Sequence, residues 1–525
     1  MTDLLVWAPI PQRVCLWIDG HVVPMVKDAD SWWSADGLIV AGSSYGFLLD
    51  DDETVLPDPA SRWQPDGVHA PSRRYDQSRF EWTDTDWTGR TLPGAVIYEL
   101  HVGTFTAAGT FDGVIEHLPH LADLGVTHLE LMPVNAFDGD WGWGYDGVGW
   151  YAVQEPYGGP DGLKRLVDAA HGHGLAVVLD VVYNHLGPSG NYLPRFGPYF
   201  NPGTTSWGDV INLDGKDSYE VRRFIIANAL MWLTDYHLDA LRLDAVHALQ
   251  DTSTPHLLDE LTREVDALSA RLGRPLSLIA ESDLNDPSMV NPLEAGGHGL
   301  TGQWNDDVHH AIHALITGER QAYYDDFGSL AALAKVLTSG FLHDGTYSTF
   351  RNHNHGRPID RHLLPGYRFI VALQNHDQVG NRERGRRLTE LTTPALLRVA
   401  AVVLLTSPFT PMLWMGEEWA ASTRWPYFTA HTEPALVDIG KYREQEFAAY
   451  GWDPTQMIDP QDPHAFADSV LDWNELAEPG HTQIRELYRN LIALRRTETD
   501  LADPRLDQIT IDFDEDNRWL VVHRG

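Results

Sequence analysis

The hydrophobic pattern changes character along this chain. From Gly94 onward, short apolar runs rich in β-branched residues alternate with longer stretches of helical periodicity. Residues 96–100, 128–132, 176–182, 240–243, 277–280, 302–304, 369–373 and 411–415 read as strands. Residues 111–124, 163–173, 219–236, 255–272, 330–338, 394–405 and 482–495 read as helices. Eight strand–helix repeats are what a closed parallel sheet requires, so the spacing predicts an α/β chain built on a (β/α)8 barrel. A doubly wound open sheet is the alternative, but the Gly-rich phosphate-binding turn it would carry is absent.

Residues 1–78 follow another rhythm. Short runs such as Leu4-Leu5-Val6-Trp7 and Val14-Cys15-Leu16-Trp17-Ile18 are split by Gly, Pro and Asp, with a turn signal at Asp19-Gly20. That is the pattern of a small β-sandwich. Residues 57–71 hold four prolines and no periodicity, as in a linker or an ordered loop. The expected organisation is a sandwich over 1–78, a linker over 79–93, a barrel over 94–497 and a partial C-terminal β region over 498–525. A Gly-, Pro- and Asn-rich excursion at 186–216 interrupts the third repeat. The C-terminal region is short for an independent domain, so either that domain is minimal or the chain is truncated.

A length of 525 residues exceeds one compact domain, and 43% hydrophobic residues suffice for a large core. The net charge of -37 repels nucleic acid and anionic lipid, so neither nucleic acid nor membrane is expected as a partner. A neutral sugar fits this charge. The most apolar window, 399–415, contains Ser407, Pro408, Thr410 and Pro411 and reads as a buried helix–turn–strand. The single cysteine, Cys15, rules out an intrachain disulfide, and the N-terminus lacks a basic segment followed by an apolar one. A cytoplasmic location follows as the default.

In such a barrel, catalytic groups sit just past the C-terminal ends of the strands. The third strand runs into Asp180-Val-Val-Tyr-Asn-His185, the fourth into Arg242-Leu-Asp244, the fifth into Glu281 and the seventh into His376-Asp377. One acid at a strand end is most often structural. Asp, Asp, Glu and Asp at one rim, with His185, Arg242 and His376, are hard to explain that way, because burying several carboxylates together is costly. The layout suits glycoside hydrolysis, in which one carboxylate attacks and a second acts as acid, then base. Arg242, two residues before Asp244 on the same strand face, would keep Asp244 ionised as the nucleophile. Glu281, at the end of an apolar strand, would have its pKa raised, as a general acid needs. Asp377 would bind sugar hydroxyls and favour the flattened, cation-like ring.

These segments resemble the conserved regions of the α-amylase superfamily of glycoside hydrolases. The likeness runs over nearly the whole chain. It takes in Ile97-Tyr-Glu-Leu-His-Val-Gly-Thr-Phe105, Gly142-Trp-Gly-Tyr-Asp-Gly147 and Gln303-Trp-Asn-Asp-Asp-Val-His-His310. Segments 57–69 and 416–428 are similar to those of one branch, the maltooligosyltrehalose trehalohydrolases. The resemblance implies nucleophile Asp244, proton donor Glu281 and stabiliser Asp377, with Tyr145, His185, Arg242 and His376 around the cleaved sugar. Asp180 would orient its neighbours. His247, Gln378 and Asn381 would contact substrate, as would Asp306, Asp307 and His309. The implied substrate is maltooligosyltrehalose, cut at the α-1,4 bond next to its terminal trehalose. The synthase of the same pathway is the partner this raises. A branching enzyme, a debranching enzyme or an α-amylase is the rival within the superfamily. A non-catalytic sugar-binding protein is the rival from another class.

No cofactor and no required metal are expected. His353-Asn-His355 and His309-His310 read as polar loop histidines, and Asn191 and Asp209 form no recognisable calcium loop. Trp419, Trp425, Tyr427 and Phe428 fit either core packing or a platform for glucose units.

Overall fold

The computed structural model describes residues 4–37, 39–205, 207–432 and 452–525. Its centre is a closed barrel of parallel strands. In chain order these are Ile97–Leu100, His128–Leu131, Ala176–Val181, Ala240–Leu243, Ser277–Ala280, Gly302–Trp304, Phe369–Ala372 and Thr410–Trp414. Each pairs with its sequence neighbours, and the eighth closes on the first through Met412–Ile97, Leu413–Tyr98 and Trp414–Glu99. Strands four, five and six fall on the expected residues, and the remaining ends differ by one. Ile97, Val178, Ala240, Ile279, Ile370 and Met412 pack together inside the barrel.

The stretch expected to form one helix over 111–124 is two, Phe111–Ile115 and Leu118–Leu124. Pro119 accounts for the break. In a continuous helix its ring would strike the carbonyl of Ile115, four residues earlier, and its missing N–H would leave that carbonyl unpaired. Placed in the first turn of a new helix, the proline costs nothing. The 399–415 window folds as helix Pro394–Thr406 followed by the eighth strand. Among the described residues no helix is long and apolar enough to cross a membrane.

Upstream lie two antiparallel sheets. One has the order Leu5–Trp7, Trp32–Ser34, Val26–Lys27, and the other the order His21–Pro24, Val14–Ile18, Ser44–Leu49, Ser72–Arg73. Asp19 and Gly20 both take positive φ, 45° and 89°, as a two-residue hairpin turn of matching twist requires. Val14, Leu16, Phe47 and Leu49 are buried between these sheets and the 186–216 excursion. There Phe47 meets Phe196, and Trp7 meets Tyr199, edge to face. At the C-terminus, Ile509–Asp514 and Trp519–Arg524 form an antiparallel hairpin.

The 79–93 segment is fastened under the barrel. The His171 ring lies 2.8 Å from Asp84 Oδ2 and 2.9 Å from Asp239 Oδ2, with Trp87 stacked on its face. Burial lowers the His171 pKa, but the two carboxylates outweigh it and the net shift is upward.

Candidate active site

Asp244 and Glu281 each follow directly on the last residue of their strands, Leu243 and Ala280. Leu243 pairs with Ala280 across strands four and five, so Asp244 and Glu281 are the next positions on adjacent strands. Their backbones are therefore about 5 Å apart. The Asp244 N–H donates to Val181 O at 3.0 Å and the Glu281 N–H to Leu243 O at 3.0 Å, which extends the ladder one step into the cleft. Strand seven ends differently. Asn375 caps helix His376–Gly380, its side chain accepting from the N–H groups of Asp377 and Gln378, while Gln378 Oε1 accepts from Asn375 N–H. That reciprocal cap turns Asp377 out at the first helical turn.

Arg242 is the hub. Its side chain is fully buried, and Nη1 donates at 2.8 Å to both oxygens of Asp180 and to Asp244 Oδ1. Nη2 lies 2.9 Å from Glu281 Oε2 as an ion pair, without the alignment of a hydrogen bond. The guanidinium also covers the Trp304 ring, 4.3 Å from its centroid.

These contacts separate the two acids. Burial pushes the Asp244 carboxyl up, but Arg242, then His185, then the 2.6 Å hydrogen bond from Asn184 Nδ2 outweigh it, and its pKa falls below the ordinary value. Burial pushes Glu281 up as well. There Arg242 is opposed by the charges of Asp244 and Asp377, and the pKa stands well above the ordinary value. Glu281 Oε2 also accepts from the Ala245 N–H at 2.7 Å. Ala245 reaches that position with φ +39°, a left-handed conformation that non-glycine residues adopt at a cost.

Tyr145 and His376 form the wall beside this group. The Tyr145 hydroxyl donates to Asp180 Oδ2 at 2.6 Å and lies 2.8 Å from His376 Nε2. Gly144, just before it, has φ +99°, and a Cβ there would lie 2.2 Å from Pro133 O. Only glycine lets the chain turn here and deliver Tyr145. Asp377 accepts from Asn381 Nδ2 at 3.0 Å and is more than a third exposed, open to the cleft.

The other candidates divide. His247 Nδ1 accepts from Asp283 N–H at 3.3 Å at the cleft edge. Gln378 Nε2 donates to Asp306 Oδ1 at 3.2 Å. Asp306 is exposed by surface area yet ringed by protein. Burial, then Asp377, Asp283 and Asp307, push its pKa up to about 7, and solvent at the exposed carboxyl screens part of that push. His185 faces Asp244 electrostatically, but its Nε2 is bonded to Tyr145 O and its Nδ1 to Asn184. Asp307 is buried and accepts from Leu342 N–H and Asn285 Nδ2, which ties down the 342–343 loop. His309 is buried with one ring nitrogen on Leu373 O and the other on Tyr324 Oη.

Of the aromatic candidates, Trp419, Trp425 and Phe428 are wholly buried, and Trp425 stacks on Trp143 at 4.6 Å, so core packing is what they do. Tyr427 is part-buried, its hydroxyl 3.4 Å from Asp146 Oδ2. An aromatic ring that the sequence did not single out, Trp207 in the excursion, is half exposed and lies beside His185 and His247. Glu99, Glu130 and Asn184 were also missed. The signal for Asn184 was its place next to His185 past the third strand. Among the described residues, no group of three or more His, Cys, Asp or Glu side chains is arranged to hold a metal ion.

A closed parallel barrel whose rim pairs an acid of lowered pKa with one of raised pKa defines a glycoside hydrolase of the α-amylase class. The family model described as Alpha amylase, catalytic domain matches residues 75–196. Over its full length the chain is 54% identical to a malto-oligosyltrehalose trehalohydrolase of Mycobacterium tuberculosis and covers 91% of that protein. Against the enzyme of that name from Saccharolobus solfataricus, identity is 43% over 98% of this chain and 88% of the relative. A solved structure from Salmonella typhimurium, assigned there as an alpha amylase, aligns with a TM-score of 0.91 at 38% identity, over 98% of this chain and 88% of that one. A pullulanase from Paenibacillus barengoltzii shares the fold, with a TM-score of 0.67 at 20% identity over 98% of this chain and 81% of that one. The chain belongs to the malto-oligosyltrehalose trehalohydrolase family of the α-amylase superfamily.

Proposed function

We propose that this protein hydrolyses the α-1,4 bond next to the terminal trehalose of maltooligosyltrehalose, with retention of configuration. The observation that carries the chemistry is that one guanidinium lies against two neighbouring acids whose pKa values move apart: Arg242 carries Asp244 below its ordinary value, whereas burial, with the charges of Asp244 and Asp377, carries Glu281 well above its own. Two carboxylates that share Arg242 on adjacent strands suit the separation of roughly 5 Å expected of a retaining pair. Glu281, its raised pKa favouring the protonated acid, gives its proton to the leaving glycosidic oxygen. Asp244, ionised, attacks the anomeric carbon and forms a β-glucosyl ester. Water then attacks that carbon, Glu281 takes the water's proton, and Asp244 leaves, so the sugar is released as the α-anomer. Asp377, open to the cleft and held by Asn381, supports the ring as positive charge develops on it.

The trehalose specificity is supported by the full-length likeness to enzymes of that name. The same reading places the reaction in the cytoplasm and makes a maltooligosyltrehalose synthase the supplier of substrate. The test offers maltooligosyltrehalose and maltopentaose separately and follows both by anomeric-proton NMR. Rapid release of trehalose from the first, with the new reducing end appearing as α, is expected. Equal rates on both would remove the trehalose specificity, and a β-anomer would remove retention.

A further inference from the structure

Two carboxyl groups inside the barrel take no part in the displacement. Glu99 on the first strand and Glu130 on the second are register partners, and both are buried. Their surroundings differ. Glu99 Oε1 accepts from His376 Nδ1 at 2.5 Å, and its Oε2 accepts from the His376 backbone N–H at 3.3 Å. Among the described residues, neither oxygen of Glu130 has a hydrogen-bond partner. An ionised carboxylate without a partner is far too costly in a barrel core, so Glu130 is the neutral acid. Burial, then the charges of Glu99 and Asp180, hold it so. Glu99 is the member of the pair that lies against His376.

We propose that Glu99 is a positioning residue for the hydrolysis: ionised against His376, it keeps both ring nitrogens protonated, so that Nε2–H points at Tyr145 and fixes the direction of the hydrogen bonds that run through Tyr145 to Asp180, which shares Arg242 with Asp244. The inference rests on the hydrolase reading above. With both nitrogens protonated, His376 Nε2 donates to the Tyr145 hydroxyl, and that hydroxyl donates to Asp180. Asp180 and Asp244 then share Arg242 Nη1. If the ring kept its proton only on Nδ1, Nε2 would become an acceptor. The single Tyr145 proton would then be contested by His376 and Asp180, and a disturbed Asp180 would change its hold on the arginine that keeps Asp244 ionised.

The groups that face the His376 ring come from several elements. Glu99 is on the first strand, Tyr145 on the loop after the second, and Asp377 on the ring's own helix with Oδ1 3.5 Å from Nε2. Arg242 on the fourth strand opposes the charge, whereas His101 past the first strand, neutral with its pKa lowered to about 3, and the acids Asp180 and Glu130 are groups that feel it. The rings of Trp143, Trp304 and Trp414 complete the enclosure. Burial lowers the His376 pKa, but Asp377 and then Glu99 outweigh it and raise it to about 9. The charged ring therefore persists through neutrality and is lost as pH rises through that value.

Glu99→Gln keeps an acceptor for Nδ1–H and removes the charge. The test is the ratio of wild-type to variant kcat/KM on maltooligosyltrehalose across pH. Glu281 titrates in both proteins, so its own effect largely divides out. Near about pH 5.5, where an ordinary histidine is protonated and Asp377 still offsets the burial of this one, the ratio should lie within about threefold of unity. Near about pH 8 it should reach about tenfold or more, as a displaced positioning group costs. A ratio that does not change with pH means a merely structural role and overturns the proposal. Glu130→Gln, the neutral twin of a neutral acid, should stay within about twofold throughout. A pH-dependent loss there would put the charge on the wrong residue and overturn the proposal too. Should Glu99→Gln not fold, histidine-ring NMR of the wild type decides, with the signal assigned through His376→Gln. Both ring protons retained near pH 8 support the proposal, and a neutral ring by about pH 7 overturns it. A wild type that releases no trehalose defeats the hydrolase reading instead, and the ring titration then judges the Glu99 assignment alone.

Discussion

Replacing Arg242 by glutamine strips the central cation from a buried acidic cluster. In the native protein Nη1 holds Asp180 and Asp244 at 2.8 Å, and Nη2 lies 2.9 Å from Glu281. Removing one partner of a buried ion pair costs about 3–5 kcal/mol. The glutamine amide can restore one of these hydrogen bonds, worth about 1 kcal/mol. The net loss is about 2–4 kcal/mol, a fall of about 2–5 °C in melting temperature for a protein of this size. Catalysis should change in a more particular way. Asp244 now titrates below its ordinary value of 3.8, so its pairing stabilises the fold above that pH and ceases to as pH falls through the lowered pKa. Without Arg242 the upward push of burial loses its largest opponent. The Asp244 pKa should then rise above the ordinary value, and each unit cuts the ionised fraction about tenfold at lower pH. The acid limb of kcat/KM for trehalose release should therefore move to higher pH by about one unit or more. Part of the lost activity should return on the alkaline side. A folded variant whose acid limb stays in place, or moves to lower pH, would refute the assignment of Arg242 as the group that keeps Asp244 charged.

Gly144→Ala puts a Cβ 2.2 Å from Pro133 O in a left-handed conformation, so Tyr145 should be displaced and kcat/KM should fall about 10- to 100-fold; unchanged kinetics and melting would contradict the close approach. His171 has a raised pKa, so the stability it lends through Asp84 and Asp239 is full below 6.5 and lost as pH rises through the raised value. Calorimetry should show that loss in the wild type and a flatter response in His171→Gln; parallel curves would count against the fastening of the 79–93 segment. Trp207→Ala removes an exposed aromatic beside His185 and His247, and KM should rise by roughly 2- to 10-fold with kcat little changed. A loss in kcat alone would place Trp207 in the chemistry and not in binding.

The barrel was legible because each inner strand is a short apolar run that ends on an acid or a turn. Strands four and five stop where the pattern stops, at Asp244 and Glu281, which open onto the cleft. Helix 111–124 was misread because its apolar periodicity continues across Pro119, and a proline's backbone demands override periodicity. The three carboxylates were legible as a set because strand ends of a barrel share one rim. Glu99 and Glu130 were not, because a single acid within an apolar run reads as structural, and their roles depend on what faces them across the barrel. Similarly, nothing local marks His171, whose partners Asp84 and Asp239 lie 87 and 68 residues away. The aromatics after strand eight carried no local sign of burial; Thr104 and Trp143, from earlier repeats, enclose Trp425.

The most direct test of the two-carboxylate mechanism is to catch the sugar on the enzyme. Glu281→Gln, incubated with an activated α-glucosyl fluoride carrying fluorine at the 2-position, should form the ester without help from the acid and then hydrolyse it slowly for want of a base. Peptide mass spectrometry should find one fluoroglucosyl group on the peptide that contains Asp244, and none when Asp244 is replaced by asparagine. A label on Asp377, Asp180 or any other carboxylate, or turnover to the β-anomer with no labelled peptide, would contradict the account.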